Sequence, residues 1–250
     1  MIFSPLFLVG IEGPTGYEEG NVEMPSNISV LLGRAKDVIK NEGLIPVIRR
    51  GFALVASQFF QYDKFYLYEH KLQERNEADF MPKIKDFTFK IVHNNEEADE
   101  LAKTMGVDFR RRFVDSRQRL EKGAIAFCVF VKGEIAHVGW VALSEEARVT
   151  VDDLPYKIDF LNGEACTGGT GTALEYRGNG LMVYGYFKRF QFLREKGFTI
   201  SRNAVTRSNI VSQKAHAKFG PKIYAEARYL KLLWWKFWEE KPISQAEHRS

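Results

Sequence analysis

The stretch EYRGNGLMVYGYFKRFQFLREKG, Glu175 to Gly197, sets an arginine and two glycines directly in front of an amphipathic helical pattern. A strand that ends at a glycine-rich turn and feeds a helix leaves several backbone N–H groups unpaired, all pointing one way at the positive end of the helix dipole. Such an end binds phosphate. Gly178 and Gly180 let the backbone approach a ligand closely and adopt conformations that a β-carbon forbids. The stretch is not a Walker loop, since no Gly-Lys-Ser/Thr ending follows, and its glycine spacing is not that of a dinucleotide fingerprint. Taken alone it is a weak motif, because two glycines after a strand occur in many turns that bind nothing.

A second constellation follows one helix and one strand later. After FTISRNAV, the run NIVSQKAHAKFG supplies Asn209, Ser212, His216, Lys218 and Gly220. Upstream of the elbow, NGEACTGG carries Glu164, either a carboxylate near the start of the elbow strand or part of a solvated loop.

Together these two stretches resemble the GNAT superfamily of acyl-CoA-dependent N-acyltransferases. The pyrophosphate loop of that family reads Arg or Gln, any, any, Gly, any, Gly or Ala; Arg177, Gly178, Asn179, Gly180, Leu181 and Met182 fill those places, and Met182 departs from the last. The family's later helix carries Asn, a small residue three further on, often Tyr seven further on, and a Lys-any-Gly close. Asn209, Ser212, His216, Lys218 and Gly220 take those steps, so His216 holds the tyrosine place. The resemblance covers about residues 87 to 238.

The resemblance implies an α/β (α+β) fold: a mixed, centrally splayed GNAT-like sheet flanked by helices. It implies acetyl-CoA as acyl donor, with the pantetheine arm paired to the strand segment Thr172, Ala173 and Leu174 and the pyrophosphate on the amides of Gly178 to Met182. Arg177 is the charge partner, and Asn209 and Ser212 lie on the cofactor side, Asn209 serving equally as a helix cap. An acceptor amine attacks the thioester directly, which calls for a deprotonated amine, an oxyanion donor and an acid for the thiolate. His216 is the candidate acid, since an imidazole gives up a proton near neutral pH more readily than a phenol of pKa about 10; its alternative is a partly buried hydrogen-bonding residue. Glu164 is the candidate base, and a water chain is the other option. The acceptor is an amine on a small molecule or amino sugar. A non-catalytic acyl-CoA sensor with the same fold is the competing reading, and a transferase using aminoacyl-tRNA ranks last for want of a large basic channel.

Composition sets the bounds. With 250 residues, 45% hydrophobic and 27% charged, the chain can bury a sizeable core. The net charge of +4 is mild, and the basic residues interleave with acids rather than forming a phosphate-tracking arm, which argues against nucleic acid. Cys128 and Cys166 sit in apolar or small-residue contexts, as buried thiols do in a reducing compartment, and no metal-binding spacing is present. The opening MIFSPLFLVG lacks a basic flank and is too short to span a bilayer, so a cytoplasmic protein is expected.

Three segments are expected along the chain. Residues 1–85 form an N-terminal loop and helical extension. In it SVLLGRAKDVIKNEG and LIPVIRRGFALVASQFFQYDKFYLYE make a helical hairpin, whose face over residues 29–62 packs on the main domain or contacts the inner face of a membrane. A polar, Pro82-containing linker leads to the acyltransferase-like domain at 86–240: a strand at FTFKIV, helices EEADELAKTM and VDFRRRFVDSRQRLEKG, a hairpin turning at Lys132 and Gly133, a strand at TGTALEYRG, helix 180–196, strand FTISRNAV, helix 209–218 and a final aromatic strand pair. Residues 241–250 are a tail. The cluster Trp234, Trp235, Phe237 and Trp238 reads as core with one acceptor-side wall, and the last strand offers a pairing edge for a homodimer.

Overall fold

The computed structural model describes residues 60–243. At its centre β3 (Ile125–Val131, IAFCVFV) is buried along its whole length. Its alternate residues feed opposite sides: Ala126, Cys128 and Phe130 enter one apolar cluster, Val129 and Val131 another. A strand covered on both faces reads as a continuous apolar run for this reason.

The turn Lys132–Gly133, with φ of 51° and 79°, reverses β3 into β4 (Glu134–Ala142). Positive φ at both turn residues matches the right-handed twist of the strands it joins. The remaining strands are β1 (Phe60–Lys71), β2 (Phe87–Val92), β5 (Glu164–Thr172), β6 (Ile200–Thr206), β7 (Lys222–Leu232) and β8 (Trp235–Pro242). They form one sheet in the order β2-β3-β4-β5-β6-β1-β7-β8, antiparallel at every junction except β5 with β6. Helices α1 (Asn95–Met105), α2 (Ser116–Glu121) and α3 (Glu145–Val151) cover one face around Trp140, while α4 (Leu181–Glu195) and α5 (Ile210–Ala217) cover the other. Asn94 and Ser144 cap α1 and α3, each side chain accepting an N–H of the first turn. This is the mixed, splayed sheet flanked by helices that the resemblance implies.

Several expectations need correction. The expected helical hairpin lies outside the described residues up to position 59, but its end is a strand: β1 lies inside the sheet, paired with β6 on one side and β7 on the other. Phe65 and Leu67 point into the core from one face, Tyr68 and His70 from the other. A segment boundary near residue 85 therefore does not hold for the sheet, which already includes Phe60. Local periodicity could not reveal this, because the partners of β1 come from the far end of the chain. The expected helix over VDFRRRFVDSRQRLEKG is broken at Asp115, whose φ is 61°, leaving a 3₁₀ turn at Phe109–Arg111 and the short α2. The elbow strand begins at Glu164, earlier than TGTALEYRG suggests, and α3 was not foreseen. The polar linker is a brace. Phe80 stacks on Phe187 and Phe219, the Tyr184 hydroxyl donates to Glu77 at 2.9 Å, and the N–H of Lys83 donates to the Asn179 carbonyl at 2.9 Å.

Tight packing between α4 and β4 gives a test. An alanine at Gly139 would place its β-carbon 2.6 Å from the guanidinium carbon of Arg189, a side chain with no exposed surface and no room to swing aside. Gly139→Ala is expected to cost about 2 kcal/mol through overpacking, seen as a lower urea midpoint at unchanged slope in equilibrium unfolding.

Candidate functional site

The parallel junction is short. β5 and β6 pair only at Glu164↔Ile200, Ala165↔Ser201 and Cys166↔Arg202. From there β5 stays with β4 as far as Thr172↔His137, and β6 stays with β1 as far as Thr206↔Phe65. The two strands part. Thr167 Oγ1 and Ser201 Oγ share a buried hydrogen bond of 2.9 Å at the vertex. Beyond it, the edge of β5 that faces β6 has no strand partner among the described residues, and the same is true of the opposing edge of β6. Main-chain groups on such edges are free to pair with an extended ligand.

The elbow follows at the open end. β5 stops at Thr172, the chain makes a 3₁₀ turn at Leu174–Tyr176, and α4 begins at Leu181. Gly178 and Gly180 have φ of 79° and 83°, a region that β-carbons disfavour. Gly180 is the N-cap of α4 and offers no side chain to cap it. The turn is held from within and below: the Asn179 side chain donates to the carbonyls of Tyr176 and Arg177 at 3.2 and 3.3 Å, and Leu181 is anchored in the core. Among the described residues nothing accepts from the N–H groups of Gly178, Asn179, Gly180, Leu181 or Met182. A β-carbon at Gly178 would meet nothing within 4 Å, so the outer side of the turn is open. Unbonded amides at the positive end of a fifteen-residue helix are an anion site by construction. Met182 lies half-buried beside the aromatic cluster under α4.

The segment expected to pair with a pantetheine arm is corrected in part. Thr172 is the last residue of β5, but the Ala173 N–H donates to the Ala136 carbonyl at 2.9 Å and Leu174 belongs to the 3₁₀ turn. The Arg177 Nε donates to the Thr172 carbonyl at 3.3 Å, which ties that side chain back to the strand end. The free edge is earlier in β5 than expected.

Polar side chains are buried where the strands part. His216 on α5 has no exposed surface: its Nδ1 shares a 2.9 Å hydrogen bond with His70 Nε2 on β1, and its Nε2 accepts from Asn203 Nδ2 on β6 at 3.0 Å. Tyr68 and Tyr186 enclose its ring. Arg189 on α4, also fully buried, donates to the Gly185 carbonyl at 3.0 Å and to Thr170 Oγ1 on β5 at 3.2 Å, with its guanidinium carbon 3.9 Å from the Tyr186 ring centroid. Arg189 Nη2 and Asn203 Oδ1, a donor and an acceptor, have no partner among the described residues. Buried polar atoms of native proteins nearly always find one, so both atoms can take a further hydrogen bond.

His216 is therefore not an acid poised near neutral pH. Burial first, then the neighbouring His70 and Arg189, push its pKa well below the ordinary imidazole value, so it is neutral at pH 7. Glu164 is not free to act as a base. It lies at the closed end of the gap, bonded to Arg202 Nε at 2.7 Å and accepting the Asp159 N–H at 2.9 Å. Burial alone would raise its carboxyl; Arg202 and the Asp159 amide outweigh that and hold it below its usual range. Asn209 caps α5, its Oδ1 accepting the Ser212 N–H at 3.0 Å, and Ser212 is buried. Arg189, Asn203 and His70 were not anticipated. Arg189 did leave a trace, as a charge between Tyr186 and Phe190 on the apolar side of YGYFKRFQF.

Neither a protein-family model nor a curated protein matches the sequence. Among solved structures the chain is similar to a Drosophila protein at 12% identity, covering 75% of this chain and 57% of that one, with a TM-score of 0.42. It is similar to an acetyltransferase of the GNAT family from Colwellia psychrerythraea at 15% identity, covering 83% and 71%, with a TM-score of 0.44. A GCN5-related N-acetyltransferase-like protein from Streptococcus suis gives 15%, 80%, 69% and 0.41. The chain thus spans little more than half of the Drosophila structure. With TM-scores this low, the functional reading rests on the geometry of the parted strands and the elbow.

The buried imidazoles set a pH dependence. Burial and then Arg75 and Arg189 lower His70 to about 3, and burial and then Arg189 lower His137 to about 3. In the unfolded chain all three histidines titrate near 6.5, so below that pH the unfolded state binds more protons and stability falls as pH falls. Each contributes a slope of about 1.4 kcal/mol per pH unit. Asp152, which desolvation pushes up to about 6, acts in the opposite sense between about 4 and 6 and offsets one of the three. Urea midpoints are expected to hold above pH 7 and to drop steadily from pH 6.5 to 4.5, with a shallower drop in His137→Gln.

Proposed function

We propose that the chain is an acyl-CoA-dependent N-acyltransferase that moves an acetyl group from acetyl-CoA to an amine on a small molecule or amino sugar. The observation that carries this reading is the three-residue limit of the β5–β6 pairing together with the uncapped elbow at its mouth. One feature offers unpaired strand edge and the other offers unbonded amides, and they lie on one continuous piece of chain. A thioester carrier with a peptide-like arm and a diphosphate needs both.

In this reading the amides of Gly178 to Met182 hold the diphosphate, with Arg177 at its side. The arm lies against β5 between Thr167 and Thr172, where its own amide groups pair with the strand edge. Arg189 Nη2 and Asn203 Oδ1 supply one donor and one acceptor toward the gap. The amine nitrogen attacks the thioester carbonyl, the carbon–sulfur bond breaks, and the sulfur leaves as thiolate. A thiol of ordinary pKa, about 8.5, leaves at neutral pH with little help. Water takes the proton from the amine, since Glu164 is tied to Arg202. His216 acts as a positioning residue: bonded to β6 through Asn203 and to β1 through His70, it holds β6 away from β5. Asn209 and Ser212 support the start of α5.

The non-catalytic sensor keeps one observation in its favour, Met182 in place of the family's small residue. Calorimetric titration with acetyl-CoA, and release of free thiol with a panel of amines, separates the two. The wild type is expected to bind acetyl-CoA and to release thiol with at least one amine. Gly178→Asp, which tolerates positive φ but sets a carboxylate against the diphosphate, is expected to weaken binding by about tenfold or more. His216→Phe is expected to lower kcat, and the wild-type profile to show no ionisation of His216 between pH 6 and 8. Binding without consumption of any amine means a sensor; absence of acetyl-CoA binding at millimolar concentration, or binding untouched by Gly178→Asp, overturns the whole reading.

A further inference from the structure

The hairpin that joins β7 to β8 has an unusual tip. Its two turn residues are Leu233 and Trp234, and Leu233 has φ 55°. Hairpin turns use Gly, Asn or Asp at such a position, because a branched side chain resists positive φ. The β3–β4 turn of the same sheet also holds a non-glycine residue, Lys132, at positive φ, but that residue is polar and is followed by Gly133. Here the chain accepts a strained apolar residue at the most solvent-facing point. Trp234 and Trp235 are 82% and 76% exposed, and Leu232 and Leu233 are exposed beside them. The register places Phe60 in the same row as Leu232 and Trp235, also exposed. Folding explains none of this, since the sequence pays conformational strain to put apolar surface into water.

One row back the chemistry changes. Lys231 and Lys236 face each other across the two strands, and neither forms an ion pair among the described residues. They stand two residues behind the turn, which is about 7 Å at 3.4 Å per residue. The apolar part of an element lying in a lipid interface is buried by about 5–10 Å, with tryptophans at headgroup level and cations among the phosphates. The tip matches that profile in depth, order and charge. The exposed apolar surface continues along one face of the sheet through Tyr62 and Phe237, behind the lysine pair.

We propose that the β7–β8 tip inserts into the interface of an anionic lipid layer, with Lys231 and Lys236 against the headgroup phosphates. This is independent of the acyl-transfer reading, because neither the elbow nor the parted strands takes part. It places the lipid contact on the end of the sheet, Phe60 included, rather than on a helical face over residues 29–62.

The test uses the full-length chain with vesicles of phosphatidylcholine alone or mixed with phosphatidylglycerol, followed by co-sedimentation and by quenching of tryptophan emission with brominated lipid. Wild type is expected to bind the mixed vesicles in a salt-sensitive way and to be quenched. Leu233→Gly with Trp234→Ser restores conventional turn chemistry and so keeps the fold, checked by an unchanged unfolding midpoint; it is expected to bind about tenfold more weakly. Lys231→Gln with Lys236→Gln is expected to remove the preference for phosphatidylglycerol and the salt dependence. The proposal is overturned if the wild type binds neither vesicle, if the turn variant binds as well as wild type and so points to the chain before Phe60, or if the lipid-free protein already shields Trp234 and Trp235 from acrylamide, in which case its own chain or a second copy covers the tip.

Discussion

The two parallel strands at the middle of the sheet touch over a fraction of their length, and each then follows its other neighbour. β5 is held by β4 from Cys166 to Thr172, with one register shift between, and β6 is held by seven consecutive pairs to β1. Their own contact is limited to three residues at the closed end, fastened by the Arg202–Glu164 pair and the Thr167–Ser201 hydroxyl bond. The gap is thus a property of sheet topology rather than of any flexible loop, and everything assigned to the site depends on it. Backbone edges that a regular sheet would consume are left over, and the helix that packs beneath must line the gap with polar groups.

Those polar groups explain why the interior around α4 and α5 is built as it is. A guanidinium and three imidazoles are buried with no carboxylate partner among the described residues. A buried cation is tolerated only when backbone carbonyls, hydroxyls or aromatic faces replace water, and Arg189 uses all three. Burial first, and the field of Arg189 after it, keeps His70, His137 and His216 neutral. Glycine is required where this cluster meets the strands: Gly139 gives way to Arg189 and Gly185 to His137. The three features are one packing solution.

Much of this was legible in the sequence because it is local. The elbow, α4, α5, the β3–β4 hairpin and the final strand pair all follow from glycine placement and hydrophobic period within short windows. β1 was not legible, since FQYDKFYLYEHK continues an apolar run and only long-range pairing decides that it is a strand. The site residues divide on the same line. Gly178 and Gly180 are read from the turn they must make, and the capping role of Asn209 from its place before a helix. The protonation state of His216 was misjudged from residue type alone, because burial is set by Tyr68, His70 and Tyr186, which converge only in the folded chain. Glu164 was misjudged likewise, its partner Arg202 lying on a strand whose register the sequence does not disclose.

The central place of β1 governs how the molecule comes into being. This strand leaves the ribosome well before β6 and β7, yet its slot exists only once those later strands are available to flank it. Until then β1 has neither of its neighbours, and both its edges are bare. High contact order of this kind slows folding and leaves a window in which strands from other chains can compete for the vacant position. Yield of the native protein should accordingly be governed by the fate of a dozen residues at the start of the sheet, far from the elbow in sequence, rather than by the stability of the finished core.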